Sequence, residues 1–414
     1  MRMPDAPPDE AGSGEARRAA LLLGLAQTIA WAGSYYLPAV LAPVVVADLG
    51  ADPALVYGAF SVALLFSGLA APSVGRAVER HGGRPVLALS AVVIAAGLVL
   101  LWLLPGIEGW ICGWVVLGFG MSMGLYEAAF ATLGELYGRA ARRPITIVTL
   151  VAGFASTVGW PLTSALLPEL GWRGTCLAYA GVCLGLLLPL YLLLPRGGSG
   201  GATGDRARRP CAAEDGEPAL PAAWLRRSFL LMAAFFTLRA LIATTMSTHL
   251  ITLMGGLGLA AAAAVGAASL MGPAQVGGRM LEFAFGGGVH PLAVARLGAV
   301  LLPLGAALLL LAGPAAAVPF VLLYGASNGI VTISRGAVPL ALFGARGYPV
   351  LMGRLALPVL LAQAAAPTVT APLVASLPAM AVLGLTGGVA ALALLCLLPL
   401  RAPLHPVPSA VPGR

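Results

Sequence analysis

The sequence predicts an all-α membrane protein with twelve transmembrane helices in two pseudo-symmetric six-helix bundles. Of its 414 residues, 59% are hydrophobic and only 10% are charged, whereas soluble domains carry about 25% charged residues. Long apolar stretches alternate with short loops, and arginine is concentrated in every second loop. Together these three observations indicate that a lipid bilayer is the main solvent of the chain.

Twelve apolar stretches are each long enough to cross a bilayer. A helix needs about 20 mostly apolar residues to span the hydrocarbon layer, and short loops join most of these stretches. The predicted spans are residues 20–46, 56–74, 86–104, 110–136, 144–167, 174–195, 228–254, 257–278, 291–313, 316–338, 350–374 and 377–400.

One longer polar segment divides the spans into two sets of six. It is rich in Gly, Pro and charge and has too few large apolar residues to build a core, which is typical of a flexible linker. The predicted organisation is a cytoplasmic tail at 1–19, a bundle at 20–195, a cytoplasmic linker at 196–227, a second bundle at 228–400 and a cytoplasmic tail at 401–414.

The distribution of arginine predicts how the chain is oriented. One set of alternate loops holds nearly all the arginines, and the other set is mainly acidic, with Arg173 as its only basic residue. Because positively charged loops stay in the cytoplasm, we predict cytoplasmic termini and a location in a bacterial inner membrane. The inner-loop arginines are Arg17, Arg18, Arg76 to Arg84, Arg139 to Arg143, Arg206 to Arg227, Arg279, Arg346 and Arg401.

Composition also argues against several other classes of function. The net charge of +8 comes from arginines spread over loops, which indicates topology and not nucleic-acid binding. The sequence has no lysine, no phosphate-binding loop, no His-Glu-x-x-His motif and no Cys-x-x-Cys pair, so the usual nucleotide and metal signatures are missing. We therefore expect no cofactor, no metal and no enzymatic activity.

A charged segment between the second and third spans carries the most specific motif. It resembles the inner-loop signature of the major facilitator superfamily, with Glu79 where that family usually has Asp and Gly83 where it often has a basic residue. The resemblance implies a transporter whose cytoplasmic side is closed by the glycines and charged residues of this motif. The motif reads Gly75-x-x-x-Glu79-Arg80-x-Gly82-Gly83-Arg84.

A shortened copy of the motif follows in the second half of the chain. It consists of Gly278, Arg279 and Glu282 at the inner end of the eighth span. A loop that only sets topology needs basic residues and no carboxylate at a matching position. We therefore predict that these three residues act in gating together with the first motif.

Residues around the fifth span resemble monocarboxylate-type and oxalate/formate-type members of the superfamily. The Gly-Pro signature of drug antiporters is broken here, since Trp160 separates Gly159 from Pro161. The resemblance therefore favours another organic solute, and a drug/proton antiporter is kept as the alternative. The residues that carry the likeness are Arg142-Arg143-Pro144, Gly153, Gly159, Pro161 and Gly171-Trp172-Arg173.

Three charges fall well inside predicted spans, where ionisable residues are costly and usually functional. Glu127 lies on the fourth span, Arg239 on the seventh and Arg335 on the tenth. In the superfamily these spans and the first one line the central cavity. Further candidates on the first and tenth spans are Gln27, Trp31, Tyr35 and Asn328.

The sequence thus predicts a secondary active transporter that moves a small organic anion, coupled to protons, by alternating access. Arg239, with help from Arg335, binds the anion in this hypothesis, and Glu127 takes up and releases the proton. A static ion pair between Glu127 and Arg239 is left open. The rival classes are a non-transporting receptor and an intramembrane enzyme. The expected partners are the substrate, protons and the bilayer, with the transporter as a monomer.

Overall fold

The structure, a computed structural model, describes residues 8–196 and 222–401 and contains only helices and connecting turns within these ranges. We call the two ranges the N-terminal part and the C-terminal part. The helices are α1 (Pro8–Ala32), α2 (Pro38–Leu49), α3 (Pro53–His81), α4 (Gly83–Leu103), α5 (Gly106–Gly124), α6 (Tyr126–Tyr137), α7 (Arg142–Ala152), α8 (Ala155–Val182), α9 (Leu188–Leu192), α10 (Ala222–Gly256), α11 (Ala261–Ser269), α12 (Met271–Phe285), α13 (Pro291–Ala312), α14 (Ala317–Phe343), α15 (Tyr348–Ser376) and α16 (Ala379–Leu397).

The helices are apolar enough for a multi-pass membrane protein. Within the described ranges, seven helical stretches are long and apolar enough to cross a bilayer. One of them, Gly106–Leu192, has 87 residues, far more than the roughly 20 residues of a single crossing. The all-helical membrane class is therefore confirmed, while the division into twelve crossings and two bundles stays a prediction.

Several predicted spans are not single continuous helices. The first is interrupted between α1 and α2, the fourth at Leu125 and the fifth at Gly153 and Phe154. Glycine and proline flank two of these breaks, and such residues are tolerated in membranes where neighbouring groups satisfy the freed backbone. The spans were predicted from apolar length, which does not detect such breaks.

The charged segment between the second and third spans is mostly helical, and not the turn that the sequence suggested. Helix α3 continues to His81 and α4 begins at Gly83. The reversal takes place at Gly82, whose φ of 83° is easily adopted only by glycine. Gly75 instead lies within α3, where it packs against another helix.

Two predicted boundaries differ from the structure, at the start of the N-terminal part and at the start of the C-terminal part. Helix α1 begins at Pro8, inside the predicted tail, and α10 begins at Ala222, inside the predicted linker. The rest of the linker and the C-terminal tail beyond residue 401 lie outside the described residues. The domain division is therefore still a prediction.

The N-terminal and C-terminal parts pack closely where α3 crosses α15. A Cβ atom added at Gly75 would overlap the carbonyl oxygen of Pro349, and one added at Gly353 would overlap the carbonyl oxygen of Ala71. The backbones approach this closely because both helices present glycine at the crossing. We call these four residues the α3–α15 crossing.

We predict that Gly75→Ala destabilises the protein, because a backbone oxygen cannot move aside as a flexible side chain can. Overpacking of this kind costs about 1–3 kcal/mol, which thermal unfolding in detergent will show as a lower Tm. The matched control is Gly58→Ala on the same helix, where an added Cβ meets nothing within 4 Å. Equal Tm values for both variants would contradict the close crossing.

Candidate functional site

Two of the three predicted charges meet inside the protein. Glu127 of α6 and Arg335 of α14 form an ion pair through Oε1 and Nη2, with side chains that are 13% and 17% exposed. A charge buried without a partner costs several kcal/mol, so each residue neutralises the other. The pair also joins the N-terminal part to the C-terminal part.

A break in the helix places Glu127 at a favourable position. Leu125 separates α5 from α6 with an extended conformation (φ −90°, ψ −167°). Glu127 therefore lies in the first turn of α6, where the helix dipole favours a negative charge. The freed carbonyl of Gly124 accepts hydrogen bonds from Gln27 Nε2 at 2.6 Å and from the Tyr191 hydroxyl at 3.1 Å.

Arg239 is buried without a carboxylate. Its side chain is part of a residue only 3% exposed, and its Nη2 donates to Ser327 Oγ at 3.1 Å. Among the residues that the structure describes, its Nε and Nη1 have no hydrogen-bond partner. The ion pair with Glu127 that the sequence left open is not formed, because Glu127 is bound to Arg335 instead.

The aromatic candidates form a cluster beside the ion pair. The Trp31 ring lies 4.8 Å from the ring of Tyr35 and 4.9 Å from that of Tyr126, between centroids. Tyr35 also interacts electrostatically with Arg335 and Glu127. Trp31 and Tyr35 are both half-buried.

Gln27 and Asn328 differ in what they offer to a ligand. Gln27 is fully buried, and its Oε1 accepts the indole N–H of Trp31 at 3.3 Å. This hydrogen bond therefore helps to fix the orientation of the Trp31 ring. Asn328 is half-buried on α14, and its spacing from Arg335 places both residues on one stripe of that helix.

The shortened second motif contacts the N-terminal part through α7. Arg142 Nη2 lies 3.2 Å from Glu282 Oε1, and Thr146 Oγ1 donates to Glu282 Oε2 at 3.3 Å. Arg279 Nη1 donates to the carbonyl of Thr149 at 3.2 Å. We call these five residues the α7–α12 gate. Gly278 lies one residue before Arg279 and packs instead against the backbone of Ala326 on α14.

The charged residues of the first motif lie at the surface. Glu79 and Arg80 are exposed, and Arg84 is half-buried. A Cβ built on Gly347 would lie 3.9 Å from Glu79 Oε1, and Gly347 is the N-cap of α15. The carboxylate therefore faces the positive end of a helix dipole, so the first motif contacts α15 and the second contacts α7.

A histidine beside the α7–α12 gate caps a helix and has a lowered pKa. His290 Nδ1 accepts the backbone N–H of Leu292 at 3.2 Å, which a protonated ring nitrogen cannot do. Burial lowers the pKa of His290, and the nearby Arg142 and Arg296 lower it further. Arg142 also donates to the carbonyl of Val289, at 2.6 Å.

Arg142, Thr146 and Gly124 are site residues that the sequence did not single out as such. The sequence indicated Arg142 only as an inner-loop arginine that sets the topology. Its partner in the structure, Glu282, lies 140 residues away along the chain. Glu135 accepts the backbone N–H of Gly83, 52 residues away along the chain, at 2.8 Å. No local pattern marks such long-range partners. Arg173, the exception among the outer loops, is paired with Asp48 at 3.0 Å.

Comparison with known proteins supports the fold. The family model for the Major Facilitator Superfamily matches residues 23–353, which confirms the resemblance found in the sequence. No curated protein sequence matches the chain. Among solved structures, the human organic anion transporter MFSD10 (TETRAN) is similar at a TM-score of 0.68 and 18% identity, covering 95% of this chain and 100% of that one.

Two sugar transporters are similar to the same degree. The Escherichia coli fucose:proton symporter FucP has a TM-score of 0.67 at 14% identity, covering 92% of this chain and 97% of its own. The proton:xylose symporter XylE has a TM-score of 0.67 at 13% identity, covering 92% and 94%. At these identities the likeness shows the fold alone.

We predict that Glu282→Gln weakens the α7–α12 gate, because Arg142 then loses its charged partner. A hydrogen bond to a charged group contributes about 2 kcal/mol, so the separation between α7 and α12 should shift to longer distances. Double electron–electron resonance between spin labels on the two helices measures this shift. Glu169→Gln, an exposed carboxylate outside the gate, should leave the distances unchanged, and the gate assignment is wrong if both variants behave alike.

Proposed function

Because the chain belongs to the Major Facilitator Superfamily and has the fold of its transporters, we propose that it moves a small organic anion together with protons. In this proposal it is a monomeric secondary transporter in a bacterial inner membrane, with both termini in the cytoplasm. The substrate reaches a central site between the N-terminal and C-terminal parts. Glu127, Arg239 and Arg335 carry the chemistry.

The buried, uncompensated charge of Arg239 is the observation that carries the choice of an anion. Two of its nitrogens have no partner, and its one hydrogen bond goes to a neutral hydroxyl. Burial of a charge without a counter-charge is strongly unfavourable. A carboxylate of the substrate that binds these free N–H groups supplies the missing counter-charge and gains charge-assisted hydrogen bonds.

The ion pair between Glu127 and Arg335 provides a way to link protons to the anion. When Glu127 takes up a proton, its charge is lost and Arg335 is left without a counter-ion. Arg335 then attracts the substrate anion, so proton binding and anion binding favour each other. When the proton leaves, Glu127 is negatively charged again and re-forms its ion pair with Arg335, so the anion is released.

The helix contacts favour a closed state on one side of the membrane. The α3–α15 crossing and the α7–α12 gate join the N-terminal part to the C-terminal part at two places, and both must separate before a substrate can leave between them. At the crossing, glycines allow the two backbones to approach closely, and at the gate the buried Glu282 binds Arg142. Each of the two contacts therefore joins particular residues. Alternating access then follows from opening this side and closing the other.

The alternative of a drug/proton antiporter is less consistent with the site. A cationic drug requires a free carboxylate, whereas Glu127 is already bound by Arg335. Arg239, buried without a carboxylate partner among the described residues, repels cations. The similarity to a human organic anion transporter agrees with the anion, although the sugar transporters among the neighbours show that the fold itself accepts several solutes.

We predict that Arg239→Gln strongly reduces the transport of anions in proteoliposomes, because Gln keeps some hydrogen-bonding capacity but removes the charge. A panel of formate, oxalate, lactate, pyruvate and benzoate, each radiolabelled, identifies the substrate on the native protein first. Loss of a hydrogen bond to a charged group, about 2 kcal/mol, weakens binding by roughly thirtyfold. Arg76→Gln, which removes an exposed arginine bonded to Ser73, is the matched control and should transport normally.

We further predict that Glu127→Gln separates transport from the proton gradient. Gln cannot release a proton, so accumulation driven by a pH gradient should fall to the level without a gradient. Exchange of labelled for unlabelled anion should continue, because exchange needs no net proton movement. Glu108→Gln, an exposed carboxylate outside the site, is the control. Gradient-driven accumulation that persists in Glu127→Gln would rule out the proton role.

A further inference from the structure

Ser122 has a buried hydroxyl without a hydrogen-bond partner in the part of the chain that the structure describes. The residue is 5% exposed, and its Oγ has no hydrogen-bond partner. Other buried hydroxyls nearby donate to a backbone carbonyl of their own helix, as Ser90 does to Leu87 and Thr132 to Ala128. An unpaired buried hydroxyl costs about 1–3 kcal/mol, so a polar partner is expected at this position.

A small cavity is lined by both Ser122 and Glu127. Its volume is about 10 Å³, which is close to the smallest space that holds one water molecule. Ser122 and Glu127 are its polar lining residues, and the rest of its wall is small or apolar. The wall includes Gly75, Pro349 and Gly353 of the α3–α15 crossing.

We propose that this cavity is a binding site for one water molecule, held by Ser122 and Glu127, through which Glu127 exchanges its proton with the side of the membrane that the α3–α15 crossing closes. The proposal rests on the proton role of Glu127 in the proposed function. It assigns Ser122 as a positioning residue, because the serine acts on the carboxyl group only through the water.

The proton step is balanced without any further reactant. The O–H bond of protonated Glu127 breaks as the water oxygen gains that proton, and one proton of the resulting hydronium passes on to bulk water. Glu127 is left as a carboxylate, and its charge is compensated by Arg335. Ser122 Oγ keeps the water oriented by hydrogen bonding to it in both states.

The position of the cavity makes proton release depend on the helix crossing. Gly75 and Gly353 form part of the cavity wall, and their backbones are in close contact with α15 and α3. In the proposal, the closed crossing limits the exchange of this water with bulk solvent. Separation of α3 from α15 opens the substrate path and the proton path together, so the movement of the substrate is coupled to the movement of the proton.

No other charged group of the cavity wall competes with Glu127 for the proton. The lining residues of α3 and α15 are Ala71, Val74, Gly75, Val78, Pro349 and Gly353, none of which titrates. On the other helices packed around the carboxyl group, Arg335 is the charged partner, and the phenols of Tyr35 and Tyr126 interact with Glu127 electrostatically.

Infrared spectroscopy of the purified protein tests the proposal without a substrate. The C=O band of protonated Glu127 is identified at low pH by its loss in Glu127→Gln, and its hydrogen–deuterium exchange is followed after transfer to D₂O. In Ser122→Ala the band should shift in frequency, and exchange should slow by about fivefold, the equivalent of one hydrogen bond. Ala131→Val, which fills the cavity and leaves the serine in place, should give the same result.

The control is Thr132→Val, which removes a buried hydroxyl that already donates to the carbonyl of Ala128, and it should change neither the band nor the exchange rate. If Ser122→Ala and Ala131→Val both match the native protein while Glu127→Gln removes the band, the water site is wrong and the proton role of Glu127 stands. If Glu127→Gln removes no band at any pH, both the water site and the proton role are wrong.

Discussion

The ion pair between Glu127 and Arg335 is the interaction on which the rest of the site depends. Neither residue is tolerated alone in an apolar interior, so the N-terminal and C-terminal parts of the chain must bring them together. The helix break at Leu125, the aromatic cluster around Trp31 and the polar stripe of α14 all lie around this pair. Arg239 is the exception, since it is buried without a carboxylate partner among the residues that the structure describes.

The class of fold could be predicted because the requirement of a bilayer for apolar helices acts on every residue of a span. Length and composition located the helices to within a few residues in most cases, as with α4 and α16. The breaks could not be located in this way. The break at Leu125 depends on Gln27 and Tyr191, which satisfy the freed carbonyl of Gly124 from two distant helices, and no local pattern records such a partnership.

The candidate site shows the same division between local and long-range information. The sequence marks Glu127, Arg239 and Arg335 because charges inside apolar spans are rare. Which of two arginines pairs with Glu127 is decided by how the helices cross. For the same reason the sequence indicates only a topology role for Arg142, whereas the structure places Glu282 beside it. Ser122 carries no signal in the sequence, because serine is common in helices and its lack of a partner is visible only in three dimensions.

The hydrogen bonds at Gly124 have a consequence for the mechanics of the transporter. A break in a helix is normally a place where the helix can bend, but here the freed carbonyl is held by donors from α1 and α9. Bending at Leu125 would strip that oxygen of both donors in a medium that cannot replace them. The kink is therefore braced, and α1, α5 and α9 are tied together through this one carbonyl oxygen.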